Sequence, residues 1–291
     1  MEGIILKGIG GFYTVRDHKG DTYTLRAQSK LRRNRLTPMI GDLVEFQIGE
    51  YEDENWLSDI KPRKNSLIRP PVANIDKLVV TIAASTPKAD LLLVDRLLLL
   101  CADNDIEPVI VINKSDQDEQ SAREIEGQYS SAAKVFVVCA LSGENVDELK
   151  RYLRGCVHAF AGQSGVGKSS IINALYGLSL ETGGLSKKID RGKNTTRRAE
   201  LIPVDDGGMV LDTPGFSLLE TDLIEPVKLK TLVAEFKPYE GQCRFEPCMH
   251  YKEPDCAVRT AVSQGRISAG RYERYQTLFE DMRERWKNRY D

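Results

Sequence analysis

The chain has 291 residues, a formal net charge of -2, 41% hydrophobic residues and 29% charged residues. At roughly 100–200 residues per domain this length fits two or three domains, and the ordinary balance excludes a disordered or fibrous chain. The longest apolar runs, residues 91–94 and 97–102, are split by Asp95-Arg96 and fall far short of the ~20 residues of a membrane span.

Met1-Glu2-Gly3 opens with an acid and no leader pattern, so a cytoplasmic location and reduced cysteines are expected. The net charge predicts no nucleic-acid partner, but local charge is polarised. Residues 22–40 hold no acid and contain Arg26, Lys30, Arg32, Arg33 and Arg35. A second basic cluster holds Lys187, Lys188, Arg191, Lys193, Arg197 and Arg198, whereas Glu50, Glu52, Asp53 and Glu54 are acidic.

Residues 1–68 read as β. Alternation over residues 4–13, 22–26 and 43–48, with a turn signal at Lys19-Gly20-Asp21, predicts a small barrel of the OB-fold type. Pro62, Pro70 and Pro71 mark a linker. Residues 72–223 change pattern. Unbroken apolar strands at 78–83, 109–112, 135–138, 157–161 and 210–211 alternate with helical segments such as 90–103, which predicts a parallel sheet with helices on both faces. Residues 224–291 predict a mostly helical unit: a short helix over 229–236, a Cys/His-rich loop, and a long polar helix from Ala269. That helix packs a stripe of Tyr272, Tyr275, Leu278, Phe279 and Met282 on the rest.

Gly162-Gln163-Ser164-Gly165-Val166-Gly167-Lys168-Ser169 fits G-x-x-x-x-G-K-[ST] between a strand and a helical stretch that continues from Ser170. Glycines let backbone N–H groups cradle phosphate, and the helix N-terminus adds its positive end. Lys168 is expected on the β- and γ-phosphates and Ser169 on Mg2+.

Asn113-Lys114-Ser115-Asp116 stands at a strand end and resembles the N-K-x-D motif of GTPases. A carboxylate at Asp116 can accept from both the ring N–H and the exocyclic amine of guanine, a donor pair adenine lacks. Asn113 is expected to donate to the guanine oxygen face, and Lys114 to lay its stem along the base. Cys139-Ala140-Leu141-Ser142 resembles the S-A-x loop that supports guanine, with Cys for Ser.

Asp212-Thr213-Pro214-Gly215 resembles D-x-x-G, with Asp212 reaching Mg2+ through water and Gly215 offering its N–H to the γ-phosphate. Phe216 stands where many GTPases place a water-orienting glutamine, so the catalytic group comes from elsewhere. Thr195 and Thr196 are both candidates for the switch I ligand of Mg2+. The motifs run N-K-x-D, S-A-x, P-loop, switch I, D-x-x-G, a circular permutation of the usual order; nearby domain ends make such a rotation possible. It places switch II just before the C-terminal unit.

Cys243, Cys248, His250 and Cys256 form C-x4-C-x-H-x5-C, the donor set of one closed, structural Zn2+ site. Cys101 and Cys156 read as core, and His18 and His158 receive no role.

The combination resembles the RsgA family, also called YjeQ or YloQ, over essentially the whole chain. The resemblance implies an N-terminal OB-fold, a circularly permuted GTPase domain and a C-terminal zinc domain. It also implies GTP hydrolysis in late maturation of the 30S subunit, stimulated by that subunit. Contact with 16S rRNA through the OB-fold and zinc domain follows, with Arg26, Lys30, Arg32, Arg33 and Arg35 as a phosphate-tracking surface. A monomer that binds GTP or GDP with Mg2+, and no membrane, is expected. Many family members carry histidine where this chain has Asn194, which removes that position as a general base. Two other classes compete: a module merely ordered by GTP, and a P-loop kinase or ATPase.

Overall fold

Gly10 and Gly11 break the alternating run of residues 4–13 into two strands. Both adopt positive φ, +59° and +87°, and turn β1 (Glu2–Ile9) onto β2 (Phe12–Asp17) as a hairpin. With β3 (Thr22–Ala27), β4 (Leu43–Gln47) and β5 (Trp56–Ile60) they close a five-stranded barrel in the order β1-β2-β3-β5-β4. Ile5, Val15, Leu25, Val44, Phe46 and Leu57 fill its interior from alternate positions. The architecture is that of the expected OB-fold. The computed structural model describes residues 1–29, 31, 36–50, 55–68, 70–178, 180, 199–212 and 224–288; of Asp212 it describes the backbone.

The proline-marked linker is a packed joint. Its β6 (Ser66–Leu67) pairs with β7 (Val72–Ala73), and Ile40 bridges Val72. Arg63 donates to both oxygens of the fully buried Asp42 carboxylate, at 2.7 and 2.9 Å.

The sequence of apolar runs becomes a six-stranded sheet ordered β10-β9-β8-β11-β13-β12. Its parallel strands are β8 (Lys77–Ala83), β9 (Glu107–Asn113), β10 (Lys134–Val137), β11 (Val157–Ala161) and β13 (Met209–Asp212). The edge strand β12 (Glu200–Pro203) pairs antiparallel with β13. It is short, and three of its four residues are only partly buried, so no continuous apolar run reveals it in the sequence. Every residue of β8 is buried. Leu78, Val80 and Ile82 face α1 (Leu91–Asp103) and α2 (Glu119–Tyr129). Val79 faces α3 (Val146–Leu153) and α4 (Lys168–Tyr176) on the other side.

The third core lies around α5 (Leu229–Leu232), α6 (Ala257–Ser263) and α7 (Ala269–Lys287). The predicted single helix over 229–236 is instead α5 followed by a 3-10 segment, Ala234–Tyr239, that contains Pro238. A proline lacks the N–H an α-helix needs there. The predicted stripe Tyr272, Tyr275, Leu278, Phe279 and Met282 is buried in this core.

Candidate nucleotide site and metal centre

The β11–α4 loop is held against the neighbouring strands closely enough to require glycine. A Cβ on Gly162, whose φ is +134°, would lie 2.2 Å from the Thr81 carbonyl oxygen. One on Gly167, at φ +97°, would lie 2.3 Å from Asn113 Nδ2. Val166 is buried, whereas Ser164 and Gly165 are exposed, and Ser169 and Ser170 sit half-buried in the first turn of α4. Lys168 Nζ donates to the carbonyls of Gly162 at 2.7 Å and Gln163 at 2.6 Å. These partners are neutral, and burial lowers the Lys168 pKa, so the ammonium is primed to gain an anion. Gln163 Oε1 accepts from the Asp90 N–H at 3.0 Å, which ties the loop to the start of α1.

The N-K-x-D tetrapeptide leaves β9 beside this loop. Its asparagine has a structural task in addition to the expected donation to guanine, which a second Nδ2 hydrogen leaves open. Asn113 is buried; its Nδ2 donates to the Val166 carbonyl at 2.9 Å, and its Oδ1 accepts from Ala140 N at 3.1 Å. Both ends of the amide thus brace the phosphate loop and the S-A-x-like loop. Lys114, at φ +62°, extends across the cleft and donates to the Gly165 carbonyl at 2.9 Å and to the Thr86 carbonyl. Asp116 is exposed, and its Oδ1 accepts from Cys139 Sγ at 3.2 Å. The fold brings the loop of Lys114 and Asp116 against the phosphate loop of Lys168, as their motifs predict.

Asp212 ends β13, which pairs in parallel with β11 through His158↔Val210 and Ala159↔Leu211. The strand therefore delivers its C-terminal end beside the phosphate loop. Thr195, Thr196, Gly215 and Phe216 lie outside the described residues, as do Asn194 and the basic cluster from Lys187 to Arg198. His158, left without a role, is a core residue. Its Nδ1 lies 3.1 Å from the Cys156 carbonyl and its Nε2 lies 2.9 Å from the Tyr176 hydroxyl, and burial lowers its pKa.

Of the expected RNA-facing residues, Lys30, Arg32, Arg33 and Arg35 lie outside the described residues. Arg26 is exposed on the barrel between two aromatic neighbours that sequence reading missed. It pairs across strands with Phe12 on one side and Trp56 on the other, and its guanidinium lies 4.7 Å from the Phe12 ring centre. Phe12 is 43% exposed and Trp56 37%. Strand alternation alone could have put the three on the outer face, but their register could not be read from sequence.

In the C-terminal unit, ligand atoms of Cys243, Cys248, His250 and Cys256 all lie within 4.8 Å of one another. His250 Nδ1 is 3.5 Å from Cys243 Sγ, 3.4 Å from Cys248 Sγ and 3.4 Å from Cys256 Sγ, and Cys243 Sγ is 3.9 Å from Cys256 Sγ. A tetrahedral Zn2+ with ligands at about 2.3 Å (S) and about 2.0 Å (N) spaces sulfurs by roughly 3.8 Å and sulfur from nitrogen by roughly 3.5 Å. The four residues therefore fit the ion. Burial pushes the Cys248 thiol up to about 12, a cost a dication would remove by binding the thiolate. The surroundings hold the loop from outside. Ala257 N approaches Cys243 Sγ at 3.4 Å, Tyr272 OH donates to the His250 carbonyl at 2.9 Å, and Glu253 accepts from the backbone of Met249 and Tyr251.

This unit is fastened to the sheet domain by buried charges. Asp95 of α1 pairs with Arg271 and Arg274 of α7, and Arg271 also donates to both Glu235 oxygens, at 2.7 and 2.8 Å. Arg271 lies over the Tyr129 ring at 4.9 Å.

A family model described as the RsgA GTPase matches residues 60–222, and one described as the RsgA N-terminal domain matches residues 2–55. A Caldanaerobacter subterraneus protein named small ribosomal subunit biogenesis GTPase RsgA is 42% identical over 293 residues, covering 100% of this chain and 98% of the relative. A Geobacillus kaustophilus protein of the same name is 41% identical over 295 residues, covering 99% of each chain. The crystal structure of YjeQ from Thermotoga maritima aligns with a TM-score of 0.85 at 36% identity, covering 97% of this chain and 98% of that one. The crystal structure of YloQ, a circularly permuted GTPase, aligns with a TM-score of 0.81 at 33% identity over 98% and 95% of the two chains. With the phosphate loop following the N-K-x-D strand in one parallel sheet, this chain is a circularly permuted P-loop GTPase and belongs to the RsgA GTPase family.

Proposed function

We propose that this GTPase acts in late maturation of the small ribosomal subunit, binds 16S rRNA, and is stimulated by that subunit. The observation that carries the reading is the whole-length similarity to proteins named for small-subunit biogenesis. The exposed Phe12–Arg26–Trp56 row supports the RNA part, since two aromatic faces around a guanidinium offer base stacking and phosphate attraction together. We assign residues 1–68 to RNA binding, 72–223 to the nucleotide, and 224–291 to one structural Zn2+, in a cytoplasmic monomer.

Within the nucleotide site, residues 162–170 and Lys168 hold the phosphates, and Asp116 reads guanine. Lys114 lines the base, and Asn113 braces the two loops. Ser169, Asp212 and either Thr195 or Thr196 would hold Mg2+, and Gly215 would offer its N–H to the γ-phosphate. When bound, Mg2+ would supply charge neutralisation at the phosphates; the chain's own residues position the nucleotide. The test is co-sedimentation with 30S subunits. Binding with a non-hydrolysable GTP analogue and weaker binding with GDP is expected; equal binding in both states, or none, contradicts the proposal.

A further inference from the structure

We propose that Lys7, on the barrel, is a positioning residue for the nucleotide site: through Glu200 it fixes the strand pair that ends in Asp212. The inference rests on the assignment of Asp212 to that site. β12 and β13 pair antiparallel, and their register sets Glu200 directly opposite Asp212. Glu200 therefore stands at the end of the pair nearest the phosphate loop. In sequence the switch I candidates run into β12, and Gly215 follows closely behind Asp212. Both switch segments thus root in this one pair. β12 is a four-residue strand at the edge of the sheet, so β13 alone gives it little hold.

A β-bulge aims Lys7 at the pair. Strict alternation along β1 would turn Lys7 into the barrel, on the side of Ile5. Instead the pairing with β2 slips between Ile5↔Val15 and Lys7↔Thr14. The extra residue puts Leu6 and Lys7 on the outer side together. Ile5 is wholly buried inside the barrel, whereas Leu6 is buried in the core of the sheet with Leu201 of β12 and Leu211 of β13. Lys7 Nζ donates to Glu200 Oε2 at 2.7 Å. The packing of Leu6 holds the barrel on the sheet, and the half-exposed ion pair adds direction more than stability. The same hairpin carries Phe12, so the barrel's exposed row and its grip on β12 belong to one element.

The test measures dissociation constants of GDP and of the non-hydrolysable analogue GMPPNP for the full chain, K7E, E200K, K7E/E200K, D212A and K7E/D212A, with melting curves to confirm folding. Asp212 and the switch segments serve the γ-phosphate side, so a displaced strand pair acts on the analogue more than on GDP. K7E and E200K are each expected to weaken GMPPNP by about two- to fivefold, the scale of one exposed ion pair, with GDP changed less. The charge swap K7E/E200K restores the GMPPNP/GDP preference, which a packing defect would not do. D212A lowers that preference by itself, and adding K7E to it changes nothing further. An unchanged preference in K7E and E200K, equal weakening of both nucleotides, no recovery in the swap, or a further loss in K7E/D212A overturns the inference. If D212A instead keeps the full preference, the assignment of Asp212 fails and takes the inference with it.

Discussion

Asn113 Nδ2 donates to the Val166 carbonyl at 2.9 Å, so the first residue of the base-reading tetrapeptide is a brace of the phosphate loop. Removing it leaves the buried Val166 carbonyl and Ala140 N–H without that partner. Such a loss costs about 1–3 kcal/mol. Asn113→Ala is therefore expected to weaken GDP about ten- to a hundredfold and ADP by a similar factor, because the brace serves the phosphates. Isothermal titration with both nucleotides checks this. A selective loss of GDP alone would return Asn113 to a direct role on the base.

The joint between α1 and α7 is the most buried ionic cluster described in the molecule. Arg271 and Asp95 are each under a tenth exposed. Removing one partner leaves a buried charge uncompensated, at about 3–5 kcal/mol. Arg271→Met should thus lower the denaturant midpoint by an amount equivalent to several kcal/mol. By contrast, Lys7→Ala, which breaks the half-exposed Lys7–Glu200 pair, should change stability by less than about 1 kcal/mol.

The four-ligand cluster predicts one zinc per chain. Thiols bind as thiolates, so uptake releases protons and strengthens as pH rises. Atomic absorption should give one equivalent, held at pH 8 and shed progressively on acidification or with a strong chelator. Metal loss should expose the core around Phe236, Tyr251 and Tyr275, read as near-ultraviolet circular dichroism, while leaving the barrel's far-ultraviolet signal. Retention of the near-ultraviolet signal in the metal-free chain would contradict a structural role.

The barrel's outer row separates stacking from charge. Trp56→Ala and Phe12→Ala are each expected to weaken single-stranded RNA binding by about 1–3 kcal/mol with an unchanged salt slope. Arg26→Ala should lower the salt slope by about one ion for a phosphate contact. Fluorescence anisotropy across a salt series distinguishes them. Identical salt slopes in all three variants would remove Arg26 from phosphate contact.

The legible parts of this protein were those carried by local pattern. Unbroken apolar runs gave five strands of the sheet, and the spacing of C-x4-C-x-H-x5-C gave a cluster whose distances fit zinc. What escaped was set by partners remote in sequence. Asp95-Arg96 reads as an interruption in an apolar helix, yet Asp95 is buried because Arg271 and Arg274 reach it from more than 170 residues away. The bracing by Asn113 is not written in its motif, because its two bonds depend on loops around residues 140 and 166. Gly10-Gly11 offered a turn signal inside an alternating run, and the alternation hid it. Phe12 and Trp56 join Arg26 only through strand register.

The central claim is that a guanine-specific hydrolase is completed by the small ribosomal subunit. The direct measurement is steady-state phosphate release by the purified chain with GTP and with ATP, titrated with 30S subunits. Slow GTP turnover alone, since Phe216 cannot orient water, a rise that saturates with 30S, and no comparable ATP turnover are predicted. GTP turnover unmoved by 30S, or equal turnover of ATP, would contradict the account.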